Sequence, residues 1–350
     1  MKFILSLILF ITVNEASASL DSLAYEKAYR SINGMLVDSA PSNFKDAVYC
    51  TENAFYGDSL SKDWFQEQLN KIKDLTIIHA VANHSNFQYN KKDSSDILLH
   101  ASLFKILTDT IPLLKIGEKT ILNKPYIYDF DDVFGQEDWS NTFVSKLLTS
   151  KKGNCHSLSF LYKILSDELG IDSYISLAPL HMYIKVLSEE HGMYNTELTN
   201  ASFPNDAWIM SSGYIHTDAI RNSLYMDTLS KQESIAICLF DLAKGYERKF
   251  GVGNGKFMIK CCNTVLKYFP NHVSSLILKS KVLLHQEVKR DPNTLPIKKT
   301  DEGDVLVSQE YVSIIAKLHR LGYRRMPKEM YLRWMGTSDN SGKSLKLFVN

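Results

Sequence analysis

Three side chains in the middle of the chain have the types and the order that covalent catalysis requires: Cys155, His181 and Glu197. A cysteine attacks as its thiolate, and an isolated thiol is mostly protonated at neutral pH. A helix N-terminus supplies partial positive charge and unpaired N–H groups that stabilise the anion. A neighbouring imidazole lowers the thiol pKa further, and a carboxylate on the far ring nitrogen fixes tautomer and orientation. Asn195 and Asp206 are reserve candidates for that orienting role. The backbone N–H of Cys155 could form half of an oxyanion hole, with Gln136, Trp139 or Asn154 supplying a side-chain donor. The plain alternative for Cys155 is a small thiol at the edge of a core. A metal site from Cys155, His156, His181 and His191 would lack compact ligand spacing.

The elements that must position these groups are legible in the pattern. Gly153-Asn154 ends a loop, with Asn154 as helix cap and Gly170 as the stop. Leu158, Leu161, Leu165 and Leu169 recur at three- and four-residue steps, so Cys155 shares their inward face at the first turn. Ser173–Ala178 alternates as a strand, Pro179-Leu180 interrupts, and His181–Val186 alternates again. In that run Met182, Ile184 and Val186 point one way and His181, Tyr183 and Lys185 the other. Ser188–Gly192 is a polar turn, and Met193–Leu198 is the next strand. A hairpin folded about residue 190 pairs odd positions with odd. His181 and Glu197 then share a face, one diagonal step apart, and a one-residue slip would separate them.

Gly153-Asn154-Cys155-His156-Ser157, a helix closing in Glu168-Leu169-Gly170-Ile171, His181 opening a strand and Glu197 closing the next together resemble the core of the transglutaminase-like superfamily. That superfamily belongs to the papain-type cysteine fold and includes cross-linking enzymes, peptidases, amidases and inactive binding members. The resemblance covers roughly residues 126–210. It implies Cys155 as nucleophile, His181 as base and Glu197 at the acid position, where the family more often has Asp. It implies amide chemistry through a thioester, by hydrolysis or acyl transfer, with no cofactor, or else a binding module that keeps the fold without catalysis. A second stretch, with Leu239, Ala243, Tyr246, Leu266, Tyr268, Pro270 and Asn271, resembles tetratricopeptide-type helical hairpins, whose repeat is about 34 residues. That resemblance implies a protein-binding surface.

The whole chain of 350 residues is 45% hydrophobic and 23% charged, with a net charge of +1, as a well-cored globular protein is. It carries no basic arm and no Lys/Arg stripe with interleaved aromatics, which argues against nucleic acid as a partner. Lys2, the apolar run Phe3–Val13 and Ala16-Ser17-Ala18 read as an export signal with cleavage before Ser19, the run being short for a membrane span. A retained anchor is the alternative. The mature protein is then secreted or periplasmic, with no membrane span after cleavage, and its substrate would be a peptide or protein, cell-envelope material included. Five cysteines in an exported chain leave at least one thiol unpaired. Cys238, Cys261 and Cys262 fall in helical patterns as small core residues.

The expected fold class is α+β. A signal at 1–18 precedes a helical region at 19–125, a core with antiparallel strands on the cysteine-bearing helix at 126–229, helical hairpins at 230–290, and a last helix and tail at 291–350. Helices are expected at Asp21–Met35, Asn43–Phe55, Asp63–Ala82, Asp96–Leu107, Trp139–Leu148, Gln232–Phe250, Lys256–Tyr268, His272–Glu287 and Val305–Leu321. His79, His84 and His100 read as incidental. The acidic and aromatic run 126–134 is either a packed loop or one wall of a substrate cleft, and as a wall it would suit a cationic or amine-bearing group.

Overall fold

The computed structural model describes residues 22–116, 119–290 and 308–334. The signal expected at 1–18, the stretch 291–307 and the tail beyond 334 lie outside the described residues. The architecture is mixed, helices with small sheets, an α+β fold at the coarse level. It divides into two compact units, each discontinuous in sequence. One joins residues up to 65 with 230–318, and the other joins 66–229 with 319 onward.

The first unit is helical. Helix α1 spans 22–36 and α2 spans Phe44–Phe55, capped by Asn43 accepting from the Asp46 N–H. Most of α3 (Lys62–Asn83) and all of α4 (Ser94–Thr108) belong to the second unit.

In the second unit the helical run stops at Thr108. Residues expected to stay helical form instead an antiparallel hairpin of β1 (Ile111–Ile116) and β2 (Lys119–Asn123). Pro112 at its head and the mixed β-branched run beyond favour strand over helix. Strand β3 (Ile127–Tyr128) then pairs in parallel with β4 (Lys152–Gly153). The helix expected over Trp139–Leu148 is broken at Phe143, which is extended. A 3₁₀ turn at Trp139–Thr142 precedes it and α5 (Val144–Ser150) follows.

Helix α6 (Cys155–Leu169) is the centre of this unit. Leu158, Leu161 and Leu165 are fully buried, which stabilises the unit by about 1.5–3 kcal/mol per side chain. The helix packs on α4, α5 and a three-stranded antiparallel sheet. The sheet comprises β5 (Tyr174–Ala178), β6 (His181–Ser188) and β7 (Gly192–Thr196), with β6 in the middle. Every β6 residue but Leu187 is buried, so both of its faces are covered. The β5–β6 turn is Pro179–Leu180, and Leu180 takes φ +59°, a left-handed conformation costing about 1–2 kcal/mol in a residue with a side chain. Two short helices follow, α7 (Asp206–Ser212) and α8 (Thr217–Arg221).

Back in the first unit, α9 (Lys231–Phe250), α10 (Lys256–Tyr268) and α11 (Val273–Arg290) are joined by short loops. Helix α10 lies against both neighbours, and α2 lies against α9. Ser230 and Glu233 form a capping box at the head of α9. Cys238, Cys261 and Cys262 are buried in this packing, as small core residues should be. Helix α12 (Gln309–Arg320) runs within the range expected for a last helix, but one more follows it: α13 (Lys328–Trp334). No helix among the described residues is long and apolar enough to cross a membrane.

Candidate active site

The turn that carries Cys155 is built by side chains that hold the first turn of α6. Asn154 accepts from the N–H groups of His156 and Ser157 at 3.1 and 3.3 Å, and its own N–H donates to Ser157 Oγ at 3.1 Å. That reciprocal box satisfies backbone donors that a helix start leaves open. Ser157 Oγ also donates to the Asn141 carbonyl at 2.8 Å. Gly153 is required here, because a Cβ would lie 2.3 Å from Ser157 Oγ and 3.0 Å from a Leu147 methyl. Cys155 is thereby fixed at the first helical position, 7% exposed.

The strands deliver the other two groups. In the β6–β7 ladder Lys185 pairs with Asn195 and Leu187 with Met193, which is the odd-to-odd register about residue 190. His181 opens β6 and Glu197 lies just past the end of β7, held by a bridge to Ser202. His181 Nε2 donates to Glu197 Oε2 at 2.5 Å. The other carboxylate oxygen accepts from the Thr199 N–H at 3.0 Å and the Thr199 hydroxyl at 2.7 Å. All four acceptor directions of a carboxylate cannot be idle in a buried site, and these three bonds fix its plane.

The charges follow from that packing. Burial alone would raise the Cys155 thiol, but the charge of His181 and a hydrogen bond from its ring outweigh it, and the pKa falls below the ordinary thiol value. Burial would lower His181, yet the Glu197 and Cys155 charges raise it to about 10. Burial would raise Glu197, and the His181 charge and the Thr199 donors bring it below the ordinary carboxylate value. With Nε2 on Glu197, Nδ1 is the nitrogen toward the thiol. The arrangement favours a thiolate beside an imidazolium, with a carboxylate behind it.

Of the reserve residues, Asn195 and Asp206 are not at the thiol. Asn195 donates to Asp206 and to the Pro204 carbonyl at 2.8 and 2.9 Å, and Asp206 also pairs with Lys185. The metal alternative does not assemble either. His156 Nδ1 lies 3.0 Å from the Thr142 carbonyl and its ring is tilted against that of Phe160 at 4.0 Å, while His191 is exposed in the β6–β7 turn. Among the described residues no group of three His, Cys, Asp or Glu side chains could hold a metal ion.

Of the three side chains considered as oxyanion donors, Trp139 is half-buried in the 3₁₀ turn Trp139–Thr142. Asn154 is committed to the cap. Gln136 is exposed and its backbone N–H donates to Asp132. The backbone N–H of Cys155 keeps its candidacy, because the first N–H of a helix has no acceptor within it. Tyr331, which sequence reasoning missed, approaches the sulfur, and Tyr128 of the acidic and aromatic run meets it there. The Tyr331 hydroxyl of α13 lies 4.0 Å from Cys155 Sγ and hydrogen-bonds the Tyr128 hydroxyl at 3.0 Å. Burial, reinforced by the Cys155 charge, holds both phenols well above their ordinary pKa, so they are neutral donors. The only advance signal for α13 is Pro327 ahead of Lys328, a common helix start.

The acidic run is a structural turn with an aromatic lining. Asp129 accepts from the Asp131 and Asp132 N–H groups and the Asn141 side chain, and Asp132 accepts from the Gln136 and Asp138 N–H groups. Both carboxylates are buried, Asp129 also pairs with Lys152 at 2.8 Å, and the exposed Asp131 pairs with the same lysine at 2.7 Å. Asp129 and Asp132 are therefore engaged within the protein, while Tyr128 and Phe134 of the same run meet Tyr331 beside the thiol. His100 is likewise not incidental. Buried at 3% exposure, it bonds the Tyr162 hydroxyl and the Asp172 carbonyl at 3.1 Å each, tying α4 to α6.

Compared with known proteins, the chain matches no protein-family model, no curated sequence and no solved structure.

Proposed function

We propose that this protein is a cysteine enzyme of the transglutaminase-like, papain-type class that acts on amide bonds. The observation that carries the reading is the position of the His181 ring, bonded on Nε2 to Glu197 and adjoining the Cys155 thiol. The Cys155 sulfur attacks the amide carbonyl carbon, and the carbonyl electrons move to oxygen. The carbon–nitrogen bond then breaks as the proton on His181 passes to the departing nitrogen. The resulting thioester is attacked by water or by a second amine, whose proton His181 takes, and the thiolate is released. Glu197 holds the ring orientation and balances the imidazolium charge in both halves. The Cys155 N–H and the Tyr128 hydroxyl are the donors available to the developing oxyanion.

The partner classes in this reading are peptide or protein substrates, cell-envelope amides included, reached after export through the signal at 1–18. The hairpins of α9–α11 are a tetratricopeptide-like surface for a protein partner. A second reading, a binding module without turnover, is favoured by the low exposure of Cys155. A screen of peptide and protein amides, with the Cys155 adduct followed by mass spectrometry and Cys155→Ala as control, decides between them. An acyl adduct and turnover lost in Cys155→Ala support catalysis. Turnover unchanged in Cys155→Ala, or no adduct with any amide, rejects it.

A further inference from the structure

A phenol of the chain itself stands beside the sulfur. Tyr331 has no exposed surface, its hydroxyl is 4.0 Å from Cys155 Sγ, and its ring centroid is 6.5 Å from that of His181 and 4.9 Å from that of Phe134. It is carried by a seven-residue helix reached through an extended segment without secondary structure at 323–327. That segment starts at Gly322, φ +78°, where a Cβ would meet the Ala219 nitrogen of α8 at 2.8 Å, so the chain turns in close contact with α8. The Asn222 side chain donates to the Arg320 carbonyl at 3.2 Å on the same side. Beyond this anchor, Met326 and Tyr331 are buried, while Arg324, Arg325, Pro327 and Met330 are exposed.

A substrate carbonyl must reach within about 3–3.5 Å of the sulfur to react, and the space beside the sulfur holds a phenol. Among the described side chains of 323–334, Met326 ahead of α13 and Tyr331 on it are the buried ones, a smaller hold than the leucine stripe of α6. Immediately before them stand two adjacent arginines, exposed and outside any helix or strand, which is the geometry a trypsin-like protease needs.

We propose that residues 326–334 are an autoinhibitory strap, with Tyr331 occupying the acyl-group position over Cys155, and that the exposed Arg324–Arg325 pair is the processing site whose cleavage releases it. This rests on the amide-bond reading of the same site. Cleavage hydrolyses one peptide bond, with water as the co-reactant, and leaves Tyr331 on a fragment no longer joined to the Gly322 turn.

The test is the rate at which iodoacetamide modifies Cys155 in the full chain, followed by peptide mass spectrometry from about pH 5 to 9. Tyr331→Ala is expected to raise that rate about tenfold or more at every pH, and Tyr331→Phe, which keeps the ring, to change it less than about threefold. A wild-type rate equal to that of Tyr331→Ala overturns the strap. Limited trypsin gives a second arm that does not depend on the alanine variant folding. Protein cut after Arg324 or Arg325 should gain the same rate, and Arg324→Gln with Arg325→Gln should stay slow under the same treatment. Cut protein that stays slow overturns the proposal. The shape of the pH profile reports separately on the ion pair. A profile rising only through the ordinary thiol range contradicts the amide-bond reading, while the ratio of rates still decides the strap.

Discussion

His181 and Glu197 meet across a 2.5 Å hydrogen bond, although one opens β6 and the other lies beyond the last paired residue of β7. The ladder brings their backbones close, and the short return from Leu198 to Ser202 turns the carboxylate inward. Thr199 closes that return by donating twice to Glu197. The acid is therefore held from its own loop, independently of the histidine it orients.

Glu197→Gln keeps the shape and removes the charge. The His181 pKa should fall by about 1–3 units, and turnover should drop by about 10²–10⁴-fold. Glu197→Asp keeps the charge with a shorter reach and should retain more activity than Glu197→Gln. Steady-state rates for the three proteins against pH check this, and equal losses in Gln and Asp would contradict an electrostatic role.

The same pair sets a pH window for stability. Glu197 is depressed, so its contribution is present above its unfolded value of about 4.3 and is lost as pH falls through its folded value. His181 is raised, so its contribution is full below about 6.5 and is lost as pH rises toward about 10. The stability difference between wild type and Glu197→Gln, from urea unfolding, should therefore be largest between about pH 4.5 and 6.5. A difference that is flat from pH 3 to 9, to within about 0.5 kcal/mol, would contradict the coupling.

His100 acts in the opposite direction. Burial lowers it to about 4, so it stays neutral between α4 and α6. Its contribution is present above about pH 6.5 and is lost as pH falls toward 4, at most about 3 kcal/mol. His100→Gln should lose stability at neutral pH and show a shallower decline in acid, both read from urea midpoints.

Gly153→Ala tests the nucleophile turn. The added methyl would displace Ser157 Oγ and break the box around Asn154. The expected cost is about 1–3 kcal/mol, against about 1 kcal/mol for Asn154→Ala. Thermal unfolding of both variants checks the order, and a neutral Gly153→Ala would show that the turn can relax.

The five thiols should separate by chemistry. Cys238, Cys261 and Cys262 are buried, and burial raises their pKa, so they should resist alkylation until the protein unfolds. Cys50, half-buried and also raised by burial, should react only in the alkaline range. Cys155 should retain reactivity in the acid range. Peptide mapping after timed labelling, native and in urea, distinguishes the three groups.

Much of this site could be read from local pattern. The cap at Asn154, the leucine stripe and the hairpin symmetry about residue 190 are short-range rules, and together they brought Cys155, His181 and Glu197 into one place. The alternation of β6 predicted two different faces, yet both are buried, because a central strand between neighbours has no solvent face. Asp129 and Asp132 looked available to a ligand until their backbone partners were visible, whereas Asp131 is exposed beside Lys152. Tyr331 was illegible for a different reason. Its contact with Cys155 spans 176 positions, and no helical or strand period links two residues so far apart.

The central claim is a thiolate on Cys155 sustained by His181 at neutral pH. The direct measurement is thiolate ultraviolet absorbance, taken as the difference between wild type and Cys155→Ala across a pH titration, which needs no access to the buried sulfur. The absorbance should persist at about pH 6 and disappear only in acid, as His181 and Glu197 lose their coupling. A difference that appears only above about pH 8.5, where an ordinary thiol ionises, would contradict the ion pair and the chemistry drawn from it.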